Sequence, residues 1–208
     1  MRIVTDTGSL LFPVEPVFPP GFLYERNFIT REEEQDLLRN IREEVTVRNS
    51  QWHEYTARRK SAHFGLKWNY DNAVLDDAPP APAFLQELTA KVARRFSLPV
   101  ESFPHVLVIE YPPGAPMGWH RDAPPFAVIY GVSLGSTCQF GLRPNAEAAR
   151  TKENTLKFDV EPRSLYMMSG ESRSQWQHSV WPVKETRYSI TLRTMGRQLP
   201  VLGRQSRA

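Results

Sequence analysis

The stretch Arg187-Tyr188-Ser189-Ile190-Thr191-Leu192-Arg193 decides how this chain folds. Polar and apolar residues alternate with period two, the pattern of a β-strand with two unlike faces. Arg187, Ser189, Thr191 and Arg193 share one face, and Tyr188, Ile190 and Leu192 the other. In a jelly roll one such face points into the barrel. Two inward arginines on so apolar a strand need anionic partners, because an unpaired buried charge is costly. Guanidinium grips carboxylate in a two-bond fork that lysine cannot reproduce. The spacing therefore points to a clamp for a small dicarboxylate. The competing readings are an exposed edge strand, or arginines bonded to the protein's own carboxylates.

Outward from this strand, short apolar runs broken by Pro and Gly occupy 105–111, 127–134, 155–160, 164–168, 179–183 and 187–194, and each reads as a β-strand. Eighteen prolines favour an antiparallel fold with many turns over a long parallel sheet. Two helices precede the strands. Thr30 and Glu33 have capping-box spacing, and Leu37, Leu38, Ile41 and Val45 then recur on one face. A second stripe, Phe84, Leu85, Leu88, Val92 and Phe96, predicts a helix from about Pro82 to Phe96. The layout is α+β, with a β-sandwich or jelly roll as the main body. We read residues 1–20 as an extended arm, 21–196 as one domain and 197–208 as a basic tail. Within the domain, 50–75 is polar and aromatic, with a basic cluster at Arg58-Arg59-Lys60.

The bulk composition excludes several classes. The 208 residues suit one domain, with 40% hydrophobic and 24% charged residues. No apolar run approaches the roughly 20 residues of a membrane helix, and the N-terminal residues lack a signal-peptide core. Cys138 is the single cysteine, so no intrachain disulfide forms and a cytoplasmic setting is expected. A net charge of +3 permits a nucleic-acid partner without requiring one. No obligate protein partner is evident.

His120 and Asp122 stand two residues apart, which on a strand turns both toward one side. A third histidine from elsewhere would complete two imidazoles and a carboxylate on one face of an octahedron. The open positions suit Fe(II), a co-substrate and O2. Zinc prefers a closed tetrahedron, often with sulfur, and there is no second cysteine. The remaining histidines are all eligible as third ligand; His178 lies in the strand-rich half.

Four stretches together resemble the AlkB family of Fe(II)- and 2-oxoglutarate-dependent dioxygenases. They are Pro20–Tyr24 with Phe28–Glu34; Tyr111-Pro112-Pro113-Gly114 with Trp119-His120-Arg121-Asp122; Ser169–Arg173 before His178; and Arg187–Arg193. The resemblance implies a double-stranded β-helix (a jelly roll) with N-terminal helices packed on one sheet. It implies iron on His120, Asp122 and His178. It pairs Arg187 with the distal carboxylate of 2-oxoglutarate, and sets Arg193, Tyr111 and Ser189 around the rest. Such enzymes turn 2-oxoglutarate into succinate while hydroxylating an N-alkyl carbon, and the product loses an aldehyde to restore the base. The chain departs from the family at Ile109 and Ser189, where asparagine is usual. It also carries Ala123-Pro124-Pro125-Phe126 where several DNA-repair members have a further acid.

The segment Arg58–Gly65 resembles the family's nucleotide-recognition lid. Arg59, Lys60 and His63 are then candidate phosphate contacts, with Tyr55 and Phe64 as candidate aromatics. Trp176, two before His178, is placed on the ligand's face, and Trp119 is expected to point away and pack against a helix. The partner implied is alkylated DNA or RNA, single-stranded or with a flipped base. The alternatives are a 2-oxoglutarate-dependent hydroxylase of a protein or small molecule, and a catalytically silent jelly-roll binding module.

Overall fold

The computed structural model describes residues 16–52 and 55–196. In chain order its elements are β1 (Phe22–Glu25), α1 (Arg31–Glu44), β2 (Arg48–Trp52), β3 (Tyr55–Asn69), β4 (Val74–Asp77) and α2 (Ala83–Arg95). There follow β5 (His105–Tyr111), β6 (Met117–His120), β7 (Phe126–Leu134), β8 (Cys138–Pro144) and β9 (Leu156–Val160). The last are β10 (Leu165–Met168), α3 (Gly170–Ser174), β11 (Trp176–Val180) and β12 (Arg187–Met195).

Both long helices begin where the local chemistry dictates. Thr30 caps α1: its hydroxyl accepts from the Glu33 amide at 3.2 Å, and the Glu33 carboxylate accepts from the Thr30 amide at 2.7 Å. α2 starts after Pro82, whose missing N–H is no loss at a helix end. Glu34 then fastens α1 to the strands, accepting from the Gly135 amide at 2.9 Å and pairing with Arg163 at 3.3 Å.

The strands form two antiparallel sheets. The larger has the order β1-β10-β7-β12-β5-β3-β2, with β4 paired to β3; the smaller runs β6-β11-β8-β9. β12 lies at the centre of the larger sheet, between β5 and β7. Its Tyr188, Ile190 and Leu192 join Leu37, Ile41, Leu85, Leu88 and Val92 in one apolar core, so the helices cover that face. The opposite face meets the smaller sheet across a second core that includes Leu107, Ile109, Phe140, Leu142 and Tyr166. This second core is the barrel interior, and it receives Arg187, Ser189, Thr191 and Arg193, all buried.

Several expectations need correction. The strand expected at 179–183 starts earlier and runs over Trp176–Val180, so His178 is a strand residue. β8 was not read from sequence at all. The region 50–75 is largely three strands, and β3 pairs with β5 from Lys60↔Glu110 to Gly65↔His105. Phe18, at the end of the supposed arm, packs 4.8 Å from both Phe22 and Phe158. The rest of the arm to residue 15 and the tail from 197 lie outside the described residues. No helix among the described residues is long and apolar enough to cross a membrane.

Inside the barrel Gly131 stands opposite Tyr166. A Cβ there would meet the Tyr166 ring at 2.1 Å. Gly131→Ala should therefore lower stability by about 1–3 kcal/mol through overpacking, read as a lower denaturant midpoint with unchanged slope.

Candidate functional site

β6 ends on His120, and Asp122 follows two residues later in irregular backbone. The strand alternation expected for the pair therefore stops at His120. Asp122 is set instead by its loop: the Arg173 guanidinium donates to the Asp122 and Ala123 carbonyls at 3.1 and 2.8 Å. β11 pairs with β6 so that His178 lies directly across from His120. The two imidazoles are 4.1 Å apart, and His178 Nε2 is 3.6 Å from Asp122 Oδ2. One ligand atom from each of the three residues lies within 4.8 Å of the others.

The chemistry of these atoms suits a cation. His120 Nδ1 is 2.8 Å from the Gly118 carbonyl, which can only accept, so Nδ1 carries the proton and Nε2 keeps its lone pair. Burial lowers the His178 pKa to about 3, with the neighbouring His120 acting the same way, so its ring is neutral and able to ligate. Burial opposes charge on Asp122, but Arg193 and the two histidines outweigh it and hold the carboxyl well below its ordinary range. Asp122 Oδ2 is buried with no hydrogen-bond partner among the described residues. A metal ion would satisfy that orphaned oxygen.

A second set of orphaned atoms lies deeper in the barrel. Arg187 is 1% exposed. Its Nε donates to Ser133 Oγ at 3.0 Å, while Nη1 and Nη2 are buried without partners among the described residues. The Tyr111 ring lies 5.1 Å from the guanidinium. A desolvated cation–π contact is worth about 2 kcal/mol, less than the several kcal/mol lost on burying an ion. Two buried amino groups without partners among the described residues are what a carboxylate would fill. Burial pushes the Tyr111 phenol well above its ordinary range, so its hydroxyl is a donor; its partner is Met117 Sδ at 3.9 Å.

Arg193 has other partners. Its Nη2 bonds Asp122 Oδ1, its Nη1 is 3.1 Å from His105 Nδ1, and its Nε is buried without a partner among the described residues. The two arginines share a face as expected but do not close as one clamp, since the second is held by a protein carboxylate. Ser189 lies between them, buried.

The basic cluster divides between the faces of β3. Lys60 pairs with Glu110 at 2.9 Å, and Phe64 packs on the helix-side core, so both face away from the metal ligands. Arg58 donates to the Pro113 and Gly114 carbonyls. Arg59, Ser61 and His63 alternate with these residues and take the barrel face. Arg59 is half-buried, and its charge acts on His120, Tyr111 and Tyr70. The Tyr55 side chain lies outside the described residues. Where packing against a helix was expected, Trp119 meets Trp181 edge-on at 5.5 Å, with Arg143 over its ring. Trp176 sends its indole N–H toward Glu171, 3.5 Å away.

Sequence reasoning missed His105, Ser133 and Tyr70. His105 was findable, because period two from Tyr111 puts it on the same face. Tyr70 sits in the β3–β4 turn, where no period operates.

A family model described as the 2OG-Fe(II) oxygenase superfamily matches residues 21–197. The mouse tRNA (carboxymethyluridine(34)-5-O)-methyltransferase ALKBH8 is 28% identical over 80% of this chain and 25% of its own length. Its Xenopus tropicalis counterpart is 27% identical over 82% of this chain and 27% of its own length. The chain thus spans about a quarter of the length of these vertebrate relatives. Protein L905 of Acanthamoeba polyphaga mimivirus, of uncharacterized role, is 28% identical over 84% of this chain and 85% of its own length. Among solved structures, OsALKBH1 superposes with TM-score 0.69 at 15% identity, over 86% of this chain and 99% of its own. A Pseudomonas putida prolyl-4-hydroxylase gives 0.58 at 16% identity, over 86% and 94%. At such identities the likeness is one of fold, the double-stranded β-helix.

His63 and His105 generate a pH dependence. Burial lowers their pKa values to about 4 and about 2, with Arg193 adding to it in both. Each folded value lies below the unfolded 6.5. The stability held by neutral rings is therefore complete above that value and is lost as pH falls toward the folded ones. Denaturant midpoints of the metal-free protein should drop between pH 6.5 and 4. The slope is up to about 1.4 kcal/mol per pH unit for each histidine. Gln at both positions should reduce the slope, leaving the part due to His120 and His178, whose values burial also lowers; an equal slope in that variant would refute the assignment.

Proposed function

The chain belongs to the 2OG-Fe(II) oxygenase superfamily, and from that premise we propose that it is an AlkB-type enzyme that strips alkyl groups from base nitrogens in DNA or RNA. It is a dioxygenase using Fe(II), 2-oxoglutarate and O2. The observation that carries the substrate proposal is Arg59. It is a cation on the barrel face of β3 whose charge acts on His120 and Tyr111, and it makes no hydrogen bond or ion pair with the described residues. A phosphate beside the metal centre would give it a partner. The tRNA named for the vertebrate relatives supports the same class of substrate. The methyl transfer in those names belongs to much longer proteins.

His120, Asp122 and His178 would hold the metal, which together with O2 supplies the oxidising power to convert 2-oxoglutarate to succinate and CO2 and to hydroxylate a substrate carbon. The residues of the chain would orient the reactants. Arg187 would take the far carboxylate of 2-oxoglutarate in its free fork, with Ser189 beside it. Tyr111 would donate its phenol hydrogen, and Arg193 would offer Nε toward the keto end. Ile109 cannot supply the hydrogen bond of the usual asparagine, so the co-substrate would lean more heavily on Arg187. Leu107 and Ile109 line the interior and would exclude water. An N-alkyl carbon, once hydroxylated, is a hemiaminal. Its C–N bond breaks, the aldehyde leaves, and the base nitrogen keeps the electron pair and takes a proton. The base must leave its stack to reach this site. Arg59 and His63 are the substrate contacts retained here, and Lys60 and Phe64 are assigned to packing.

The test supplies Fe(II), 2-oxoglutarate and oligonucleotides carrying 1-methyladenine or 3-methylcytosine, read by mass spectrometry. Demethylated base should appear with succinate. Succinate without base repair would overturn the nucleic-acid reading and favour a protein or small-molecule substrate. Arg187→Lys should raise the 2-oxoglutarate KM ~10- to 100-fold, the size expected on losing a charged hydrogen bond worth about 1.5–3 kcal/mol. Arg59→Ala should weaken oligonucleotide binding and reduce its log–log salt slope by about 1. An unchanged slope would remove Arg59 from the phosphate contacts.

A further inference from the structure

Arg193 is one end of a chain of three side chains. Arginine has donors only, so its Nη1, 3.1 Å from His105 Nδ1, makes that nitrogen an acceptor. A neutral His105 then carries its proton on Nε2. That atom lies 3.1 Å from His63 Nδ1 and donates to it, which leaves the His63 proton on Nε2. Burial, reinforced by the Arg193 charge, keeps both rings neutral. One guanidinium thus fixes the tautomers of two histidines in series. Packing fixes their positions: the His105 ring stacks on Phe126 at 4.8 Å and 16°, and the guanidinium lies over the same ring at 5.3 Å.

We propose that His105, braced by His63, is a positioning residue for the metal centre: it holds Arg193 on Asp122 Oδ1 so that only Oδ2 faces the metal. The physical reason is competition between two pairings. Left to itself, a guanidinium prefers to grip both oxygens of a carboxylate in a two-bond fork. Such a fork would cover Oδ2, the oxygen that lies 3.6 Å from His178 and has no partner among the described residues. His105 withdraws Nη1 from that fork by accepting its hydrogen. His105 reaches this place because β5 and β12 pair it directly with Arg193. His63 reaches its place from β3, across from Leu107.

The proposal rests on reading His120, Asp122 and His178 as metal ligands, and its first test does not. In metal-free protein with 15N-labelled histidine, long-range 15N–1H spectra should show His105 and His63 both neutral and both protonated at Nε2. A proton on His105 Nδ1 overturns the proposal. The second test titrates Mn(II) into the protein and follows free Mn(II) by electron paramagnetic resonance. His105→Leu should weaken Mn(II) binding ~10- to 100-fold, the effect usual for a hydrogen-bonding partner behind a metal ligand. His105→Gln should recover most of it, since its carbonyl can accept from Arg193 and its amide donate to His63. Equal affinity in the Leu variant and the wild type overturns the positioning role, as does a Gln variant no better than Leu. Should the Leu variant not fold, the Gln variant decides: affinity near wild type supports the role, and a ~10-fold or larger loss overturns it. Wild-type protein that binds no Mn(II) overturns the metal-centre reading itself, whatever its tautomers.

Discussion

The Arg187 guanidinium is buried in the barrel with two of its three nitrogens unpaired among the described residues, and much of the molecule is arranged to keep it there. No fold retains such a group for stability alone, because its removal from water costs several kcal/mol and Ser133 returns one hydrogen bond. The cost is tolerable only if the rest of the domain holds firm. Two cores do so. One binds α1 and α2 to the outer face of the larger sheet, and the other joins the two sheets around the arginine. β12 belongs to both, since alternate residues enter one and then the other. The strand that carries the cation thus has its apolar half enclosed as well, with Tyr188, Ile190 and Leu192 all buried.

The same division of labour orders the metal side. His120 and His178 are set by strand pairing, which gives them a fixed separation. Asp122 is not in a strand, and side chains stand in for the missing ladder: Arg173 holds its backbone and Arg193 its carboxylate. The two histidines are therefore positioned by the fold, and the aspartate by charge. That difference explains why its neighbourhood is so rich in arginine.

Legibility from sequence followed the strength of the local period. The stretch Arg187–Arg193 and the Thr30–Glu33 cap were readable because each encodes its geometry within a few residues. The ligand pair His120 and Asp122 was readable as a spacing, although the reason it converges is not the strand alternation that the spacing implies. β3 was opaque. Its residues alternate between two half-buried faces, one against apolar side chains and one toward charged groups. Arg58-Arg59-Lys60 consequently reads as a basic cluster in a polar, aromatic segment with no strand period. Lys60 and Phe64 were assigned to the substrate because the basic and aromatic character of the segment was visible while its parity was not. Parity appears only once Lys60 is seen opposite Glu110. His105 was passed over for the opposite reason: it lies in an apolar run, and one polar residue there looks like noise.

β3 is a single unbroken strand from Tyr55 to Asn69, hydrogen-bonded to β5 along its middle. This has an evolutionary consequence. In a loop, a lineage can change its binding residues by gaining or losing amino acids. Inside the Lys60–Gly65 ladder of β3, adding or removing one residue would turn the side chains beyond it to the opposite face, taking His63's position out of the barrel. Descendants of this chain can vary the substrate face one substitution at a time, but its length is locked. Lineages that carry insertions should place them beyond the ladder, in the Tyr70–Ala73 turn. New specificities would arise at that tip, while Arg59 and His63 keep their orientation.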